Sequence, residues 1–361
     1  KRHSLVAVLD QTRTPMGSRL LKTWLNQPLL HLDDLRLRQQ DVRVFFDSGL
    51  ERASLRTALG QIGDLQRLAN RALNGNITPR ELLALRHTLS AIPALAEFSA
   101  LLPNPDPIPG LADVAELLAT AIEDDPPTVL GRGPTIRSGF SDELDDHHRR
   151  AREAREWIAN LERLERERTG IKSLKVGYNK VFGYYIEVTT AALATAERDR
   201  GDVLPTEYIA KQSISNATRY FTPQLKEFET IVLTAEETLR SLEASIYKRI
   251  VSQVAASADR LLTAAAAIAY LDVIATFAEV AVRNRYVQPD LTNDGELTII
   301  AGRHPTLENL VPRGEYVPND AILNDDQRII ILTGPNMAGK SSWLRQVALI
   351  VLMAQIGSFV P

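Results

Sequence analysis

A mainly α fold is predicted: a helical core, two long antiparallel lever helices with a small β-rich insert at their tip, and the start of an α/β P-loop domain. Three observations predict it. Apolar residues recur at three- and four-residue spacing over most of the chain. Residues 171–221 switch to the two-residue alternation of strands. Near the end, an apolar run leads directly into Gly334-Pro335-Asn336-Met337-Ala338-Gly339-Lys340-Ser341, which fits G-x-x-x-x-G-K-[ST].

Residues 1–140 read as the helical core. Thr14 caps a helix opened by Pro15, in which Met16, Leu20, Leu21, Trp24 and Leu25 recur at helical spacing. Further helices are predicted over Leu35–Phe46, Leu65–Leu73 and Pro79–Ile92, the last with Thr78 at its cap and Glu81 beside it. Pro103, Pro105, Pro107 and Pro109 interrupt the chain, Leu111–Ile122 is a short helix, and a second Pro/Gly cluster follows at 126–134. A charged helix with a narrow apolar seam is predicted over 141–170, ended by Gly170. Leu174, Val176 and Tyr178, a turn at Asn179-Lys180, and then Val181, Tyr184, Ile186 and Val188 form strands of the insert. Thr222-Pro223 opens a second long helix over 222–286; unbroken, it would reach about 90 Å at 1.5 Å per residue. Two such helices bracketing an insert make an antiparallel arm with the insert at its tip; the competing arrangement is two bundle helices joined by a surface hairpin. Residues 287–361 turn to α/β, with candidate strands at Leu297–Ala301 and Arg328–Leu332 and a helix over Trp343–Ile356.

Composition narrows the chemistry. Hydrophobic residues at 44% and charged residues at 24% exclude wholesale disorder and fibrous repeats. With no Cys, disulfides, thiolate nucleophiles and cysteine metal sites are excluded. His147 and His148 are adjacent on a helix, point to different sides and read as surface residues. The apolar stretch Val347–Ile356 is too short to span a bilayer and the basic opening lacks an apolar signal region, so no membrane association and a cytoplasmic location are expected. At a net charge of -3, any nucleic-acid surface must be a local patch.

The phosphate loop answers a triphosphate with successive backbone N–H groups, a helix amino end, the Lys340 ammonium for the β/γ-phosphates and the Ser341 hydroxyl for Mg²⁺. Gly334 and Gly339 let the backbone approach. Only about 20 residues follow Ser341, and no acidic residue after a further apolar strand is present, so the chain alone is expected not to hydrolyse ATP.

Thr333 to Ser342, Thr14 to Leu25, Leu174 to Tyr185, Gly302-Arg303-His304-Pro305 and Gln355 to Pro361 together resemble, in order, segments of the MutS family of DNA mismatch repair proteins. The resemblance implies a dimeric, ATP-dependent sensor whose lever helices and clamp close around DNA, with ATP and Mg²⁺ as cofactors, double-stranded and mismatched DNA, a second copy and a MutL-type protein as partners, and a bacterial, nucleoid-associated setting. It adds ATP-binding roles for Gly334, Pro335, Asn336, Met337, Ala338, Gly339, Lys340, Ser341 and Ser342, and makes Tyr316 the platform for adenine; read by itself, Tyr316 is equally a packing residue. It implies that mismatch reading, the connector and most of the ATPase lie outside this chain, so no catalytic residue is expected within it. Ser342 stands where the family usually has Thr, and keeps the hydroxyl.

In the insert, Lys175, Tyr178, Asn179, Lys180, Lys211 and Arg219 are the candidate DNA contacts, a mixture suited to phosphate oxygens rather than base edges. Glu187, Glu197, Asp199, Asp202 and Glu207 nearly balance them, so a patch requires folding to separate the signs. Two other readings stand beside this one. A coiled-coil-armed P-loop ATPase of the chromosome-maintenance or double-strand-break repair type would usually carry a longer arm with a hinge or Cys hook at its end. A binding module without a nucleotide role would hold DNA alone.

Overall fold

The computed structural model describes residues 4–181, 183–312, 315–335 and 339–361. In chain order it begins with α1 (Leu5–Leu9), α2 (Pro15–Asn26), α3 (Leu32–Asp47), α4 (Gly49–Leu59), α5 (Leu65–Leu73), α6 (Pro79–Ser99), α7 (Ala112–Ala121) and α8 (Asp142–Thr169). There follow β1 (Lys175–Asn179), β2 (Gly183–Thr189), α9 (Thr190–Arg200), β3 (Ile209–Ile214) and β4 (Ala217–Phe221). The chain then runs through α10 (Pro223–Ala256), α11 (Ala258–Asn284), β5 (Leu297–Gly302), β6 (Asn319–Leu323) and α12 (Lys340–Gln355). It folds as two compact units, Lys1–Asp125 with Ile250–Pro361, and Pro126–Arg249.

In the first unit, α2 and α6 start where a side chain holds an otherwise free amide. Thr14 accepts from the Gly17 N–H at 3.0 Å, and Thr78 and Glu81 form a reciprocal capping box. At the centre lies α11, rich in alanine and buried on nearly every side, with α2, α3, α4 and α5 packed around it. Small side chains permit the close approach, while Phe277 fills space beside Trp24, their rings 6.1 Å apart. Among the described residues α11 is the one helix long and apolar enough to cross a membrane, and 78% of that stretch is buried inside the fold. Its buried Asp272 accepts from the amides of Arg13 (2.9 Å) and Thr14 (2.7 Å) and from the Thr14 hydroxyl (2.7 Å). A Cβ at Gly17 would fall 2.3 Å from this carboxylate, so only glycine lets α2 dock there.

In the second unit, Ser141 caps α8 and Gly170, at φ 72°, ends it. The insert is a four-stranded antiparallel sheet in the order β1-β2-β4-β3, with Val176 opposite Ile186 and Ile186 opposite Tyr220. That face packs with Ile158 and Leu161 of α8 and Leu225 of α10, and Trp157 meets Phe228 at 4.6 Å. Polar side chains fix the register. Glu162 accepts from the Val176 amide at 2.9 Å, and Arg166 donates to the Leu174 carbonyl at 2.7 Å.

Several expectations are corrected. The single helix over 222–286 is two, because Ser257 leaves helical geometry (φ -98°, ψ 11°) where partly exposed α10 gives way to buried α11. Pro93 does not stop α6: its position is exposed, and Ile92 and Leu95 on either side are buried, which offsets one missing hydrogen bond. Val181 belongs to the hairpin turn and is exposed; the strand begins at Gly183. Residues 328–332 form no strand. A buried parallel strand needs hydrogen-bonding neighbours, and among the described residues β5 and β6 pair only with each other, leaving Ile329 and Ile331 about four-fifths exposed. Helix α9 and strand β6 were not anticipated.

Replacing Asp272 by Ala strands three donors, the two of Thr14 buried and the Arg13 amide partly so, and should lower the unfolding free energy in urea by about 3 kcal/mol. A loss below about 1 kcal/mol would mean that these hydrogen bonds do not anchor α2.

Candidate functional site

The phosphate-loop motif is built on the amino end of α12. Gly339, at φ 83°, occupies the N-cap position, where it offers no side chain to the first amides of the helix. Those amides carry the positive end of the helix dipole, which suits an anion. Gly334 adopts φ 145°, a conformation that favours glycine. The Lys340 ammonium donates to the carbonyl of Gly334 and, at 2.7 Å, to that of Pro335. Ser341 and Ser342 lie in the first turn of α12. Asn336, Met337 and Ala338 lie outside the described residues.

Tyr316 is brought alongside the same helix. Its hydroxyl donates to the Gln346 side chain at 2.8 Å, and the ring remains half-buried. Gln346, wholly buried, donates in turn to the Gly302 carbonyl at 3.0 Å, tying the end of β5 to α12. Trp343 donates to the Asp320 carbonyl at 3.1 Å, holding β6 to the helix as well. Gln346 was missed by sequence reasoning; the available signal was a side-chain amide early in the apolar run Trp343–Ile356.

Gly302-Arg303-His304-Pro305 serves as a joint. Arg303 donates to the carbonyls of Asn284 and Arg285 at the carboxyl end of α11 and pairs with Glu308 at 2.9 Å. Burial pushes the Glu308 carboxyl upward, while Tyr286 donates to it at 2.8 Å. His304 is buried and burial lowers its pKa; Nδ1 accepts from the Leu307 amide at 3.3 Å, which leaves the ring proton on Nε2. The far end of α12 is equally tied: Leu29 donates to the Gln355 carbonyl at 3.0 Å and Arg38 to that of Ile356 at 3.0 Å. The Arg38 guanidinium also stacks 3.4 Å over the Trp24 ring, and burial lowers its pKa to about 10.

The candidate DNA contacts fall into two groups. Lys175, Tyr178, Asn179 and Lys180 share the β1–β2 hairpin, where the sequence from Ile171 to Ile186 contains no acid. Asn179 accepts from the Val181 amide at 2.8 Å, shaping the turn that presents exposed Lys180. Tyr178 and Tyr184 stand opposite each other with rings 4.9 Å apart. Lys211 and Arg219 lie on β3 and β4. Lys211 sits 5.3 Å from the Phe221 ring. Arg219 is already engaged: Glu187 accepts from it at 2.8 Å, Gln212 at 3.0 Å, and its guanidinium lies 4.4 Å over Tyr185. Because Glu187 is paired across the sheet with both Lys175 and Arg219, signs are mixed along that row and separated only at the hairpin. Gly183, at φ 78°, lets the hairpin meet Glu229 of α10; a Cβ would fall 2.3 Å from its carboxylate, which accepts from the Tyr184 amide at 2.9 Å. Among the described residues no cluster of three or more His, Cys, Asp or Glu could hold a metal.

Comparison with known families and proteins matches MutS domain III over residues 1–278 and MutS domain V over residues 330–361. The chain belongs to the MutS family. A DNA mismatch repair protein MutS from Dehalococcoides mccartyi is 48% identical over 368 residues, covering 99% of this chain and 42% of that protein. MutS proteins of Acetivibrio thermocellus and Halalkalibacterium halodurans are 43% and 44% identical, each covering all of this chain and 41% and 42% of their own lengths. The chain thus spans about two fifths of the curated MutS relatives it matches.

Because residue 183 combines a positive φ with a closely approaching carboxylate, Gly183→Ala should destabilise the insert by about 2 kcal/mol or more. Hydrogen exchange should then accelerate in residues 175–189 and stay unchanged in α11; unchanged protection in the hairpin would contradict this account.

Proposed function

We propose that the chain is the part of an ATP-dependent DNA mismatch-sensing repair protein that holds DNA and couples its binding to nucleotide state. In this reading residues 1–140 with the buried helix α11 are the core, 141–170 and 222–256 the lever segments, 171–221 the DNA clamp, and 287–361 the first part of the ATPase domain. The observation that carries it is the pairing of a glycine-capped phosphate-loop helix with an acid-free basic hairpin in one chain of the MutS family.

The residues present fit a nucleoside triphosphate and Mg²⁺. Backbone amides at the start of α12 and the Lys340 ammonium would hold the β- and γ-phosphates, the Ser341 hydroxyl would face the metal, and Tyr316 would carry adenine beside α12. Bound Mg²⁺ would neutralise charge on the phosphates. Lys340 must first leave the carbonyls of Gly334 and Pro335, exchanging two neutral acceptors for phosphate oxygens. Because α12 is tied to β5 by Gln346 and to α3 by Arg38, a shift of the helix on binding would be felt in the core. The hairpin would hold duplex DNA by its phosphates, mismatched or paired alike. A second copy and a MutL-type protein are the proposed partners, in the bacterial cytoplasm at the nucleoid.

Titration with a fluorescent ATP analogue and Mg²⁺ should show binding that falls at least about tenfold in Lys340→Ala, about 1.4 kcal/mol; equal affinity would remove the nucleotide role. No phosphate release is expected from this chain, since residues 328–332 lack strand partners, and turnover abolished by Lys340→Ala would overturn that expectation. In DNA titrations Lys180→Gln should reduce the slope of log affinity against log salt by about 0.9. Arg219→Gln, which loses its bond to Glu187, should lower thermal stability more than it changes that slope. The reverse pattern would exchange the roles assigned to Lys180 and Arg219.

A further inference from the structure

Along α8, arginines divide into two classes. Arg149 pairs with Asp146 and Glu153, Arg150 with Asp146, Arg163 with Glu167, Arg166 with Glu162, and Arg168 with Glu207. Arg152 and Arg155 have no ion pair or side-chain hydrogen bond among the described residues, although both are exposed. For Arg155 the cause lies in the sequence: positions three and four residues away on either side are Ala151, Arg152, Ile158 and Ala159, none of them an acid. Glu156 lies one turn beyond Arg152, outside ion-pair distance. The helix thus pairs five of its seven arginines with acids and leaves Arg152 and Arg155 without an ion pair among the described residues, with Glu156 as the nearby acid that is also unpaired.

Two open hollows flank this pair. One, of about 700 Å³, is lined by Ser138, His148, Arg152 and Arg155. The other, of about 690 Å³, is lined by Arg155, Glu162, Arg166, Tyr178 and Tyr184. Arg155 lines both, so the two hollows meet at its side chain along α8, and the second reaches the β1–β2 hairpin. Three of the lining acids are engaged, Asp145 with the Gly139 amide at 2.7 Å, Glu162 with the Val176 amide and Glu167 with Arg163, while Glu156 lines the first hollow with no ion pair among the described residues. From Asp145 to Glu167 the helix rises about 33 Å, a length suited to an extended polyanion rather than to a single anion.

We propose that Arg152 and Arg155 form a second DNA-backbone contact, continuous with the hairpin, so that a phosphodiester strand follows the flank of α8 as well as the tip. The inference rests on the reading of this chain as one that holds DNA, and extends it to a surface outside the clamp segment. The two guanidinium groups are rooted about 4.5 Å apart along the helix, close to the 3.4 Å axial repeat of phosphates on one strand. The tyrosine hydroxyls at the hairpin end supply neutral donors to the same backbone.

The test is a salt titration of the whole chain with a perfectly paired duplex. Arg152→Gln/Arg155→Gln should reduce the slope of log affinity against log salt by about 1.8, two contacts at 0.9 each, and weaken binding at low salt about tenfold or more. Arg149→Gln, on the same helix but ion-paired, should leave the slope nearly unchanged, and exposed substitutions should leave the melting temperature unchanged. If the wild-type chain binds and Lys180→Gln lowers the slope while the double variant does not, the α8 surface is refuted and the hairpin stands. If the wild-type chain shows no salt-dependent binding, both the DNA reading and this inference fall together.

Discussion

A buried carboxylate organises the larger unit. Asp272 sits in the middle of α11 with no solvent exposure, and burial pushes its pKa upward. Such a group is tolerated only if its oxygens are filled, and the amides of Arg13 and Thr14 with the Thr14 hydroxyl fill them. The same hydroxyl accepts from Gly17, so one chain of hydrogen bonds runs from the central helix into the first turn of α2. Everything packed around α11 inherits its position from that seam: Trp24 against Tyr270 and Phe277, Arg38 over Trp24, and through Arg38 the carboxyl end of α12.

The second unit solves a similar problem with charge at its surface. A small sheet of short strands has too little apolar area to fix its own register against two helices. Glu162 and Arg166 on α8 and Glu229 on α10 instead bind main-chain groups at Val176, Leu174 and Tyr184. These bonds name individual amides, so they specify register in a way that packing of Ile186, Val188 and Leu225 cannot. Gly183 and Glu229 are one device, since a larger residue would displace the carboxylate that receives the strand.

Much of this was legible in the residues. Caps at Thr14 and Thr78 and the stop at Gly170 carry their own chemistry, so α2 and α6 begin, and α8 ends, where expected. The phosphate-loop motif was legible for the same reason, and α12 begins at its lysine. What escaped depends on partners distant in sequence. Whether 328–332 is a strand is decided by what lies beside it, and Pro93 is decided by the burial of its neighbours. The break at Ser257 was hidden because an apolar period continues through it. Gln346 became visible only when the Gly302 carbonyl and the Tyr316 hydroxyl were placed against it.

Charge allocation separates candidate binding residues from structural ones more sharply than composition does. An arginine whose donors are already met must break those bonds to serve a phosphate, and the Arg219 guanidinium would leave Glu187 and Gln212 behind. Lys180 on the turn and Arg155 on α8 have no ion pair to give up among the described residues. Counting basic residues therefore overstates the interface around β3 and β4 and understates the flank of α8. The relevant inventory is of cations left without an acid by their helical or cross-strand neighbours, and in this unit it includes Arg152, Arg155 and Lys180 but not Arg219 in the middle of the sheet.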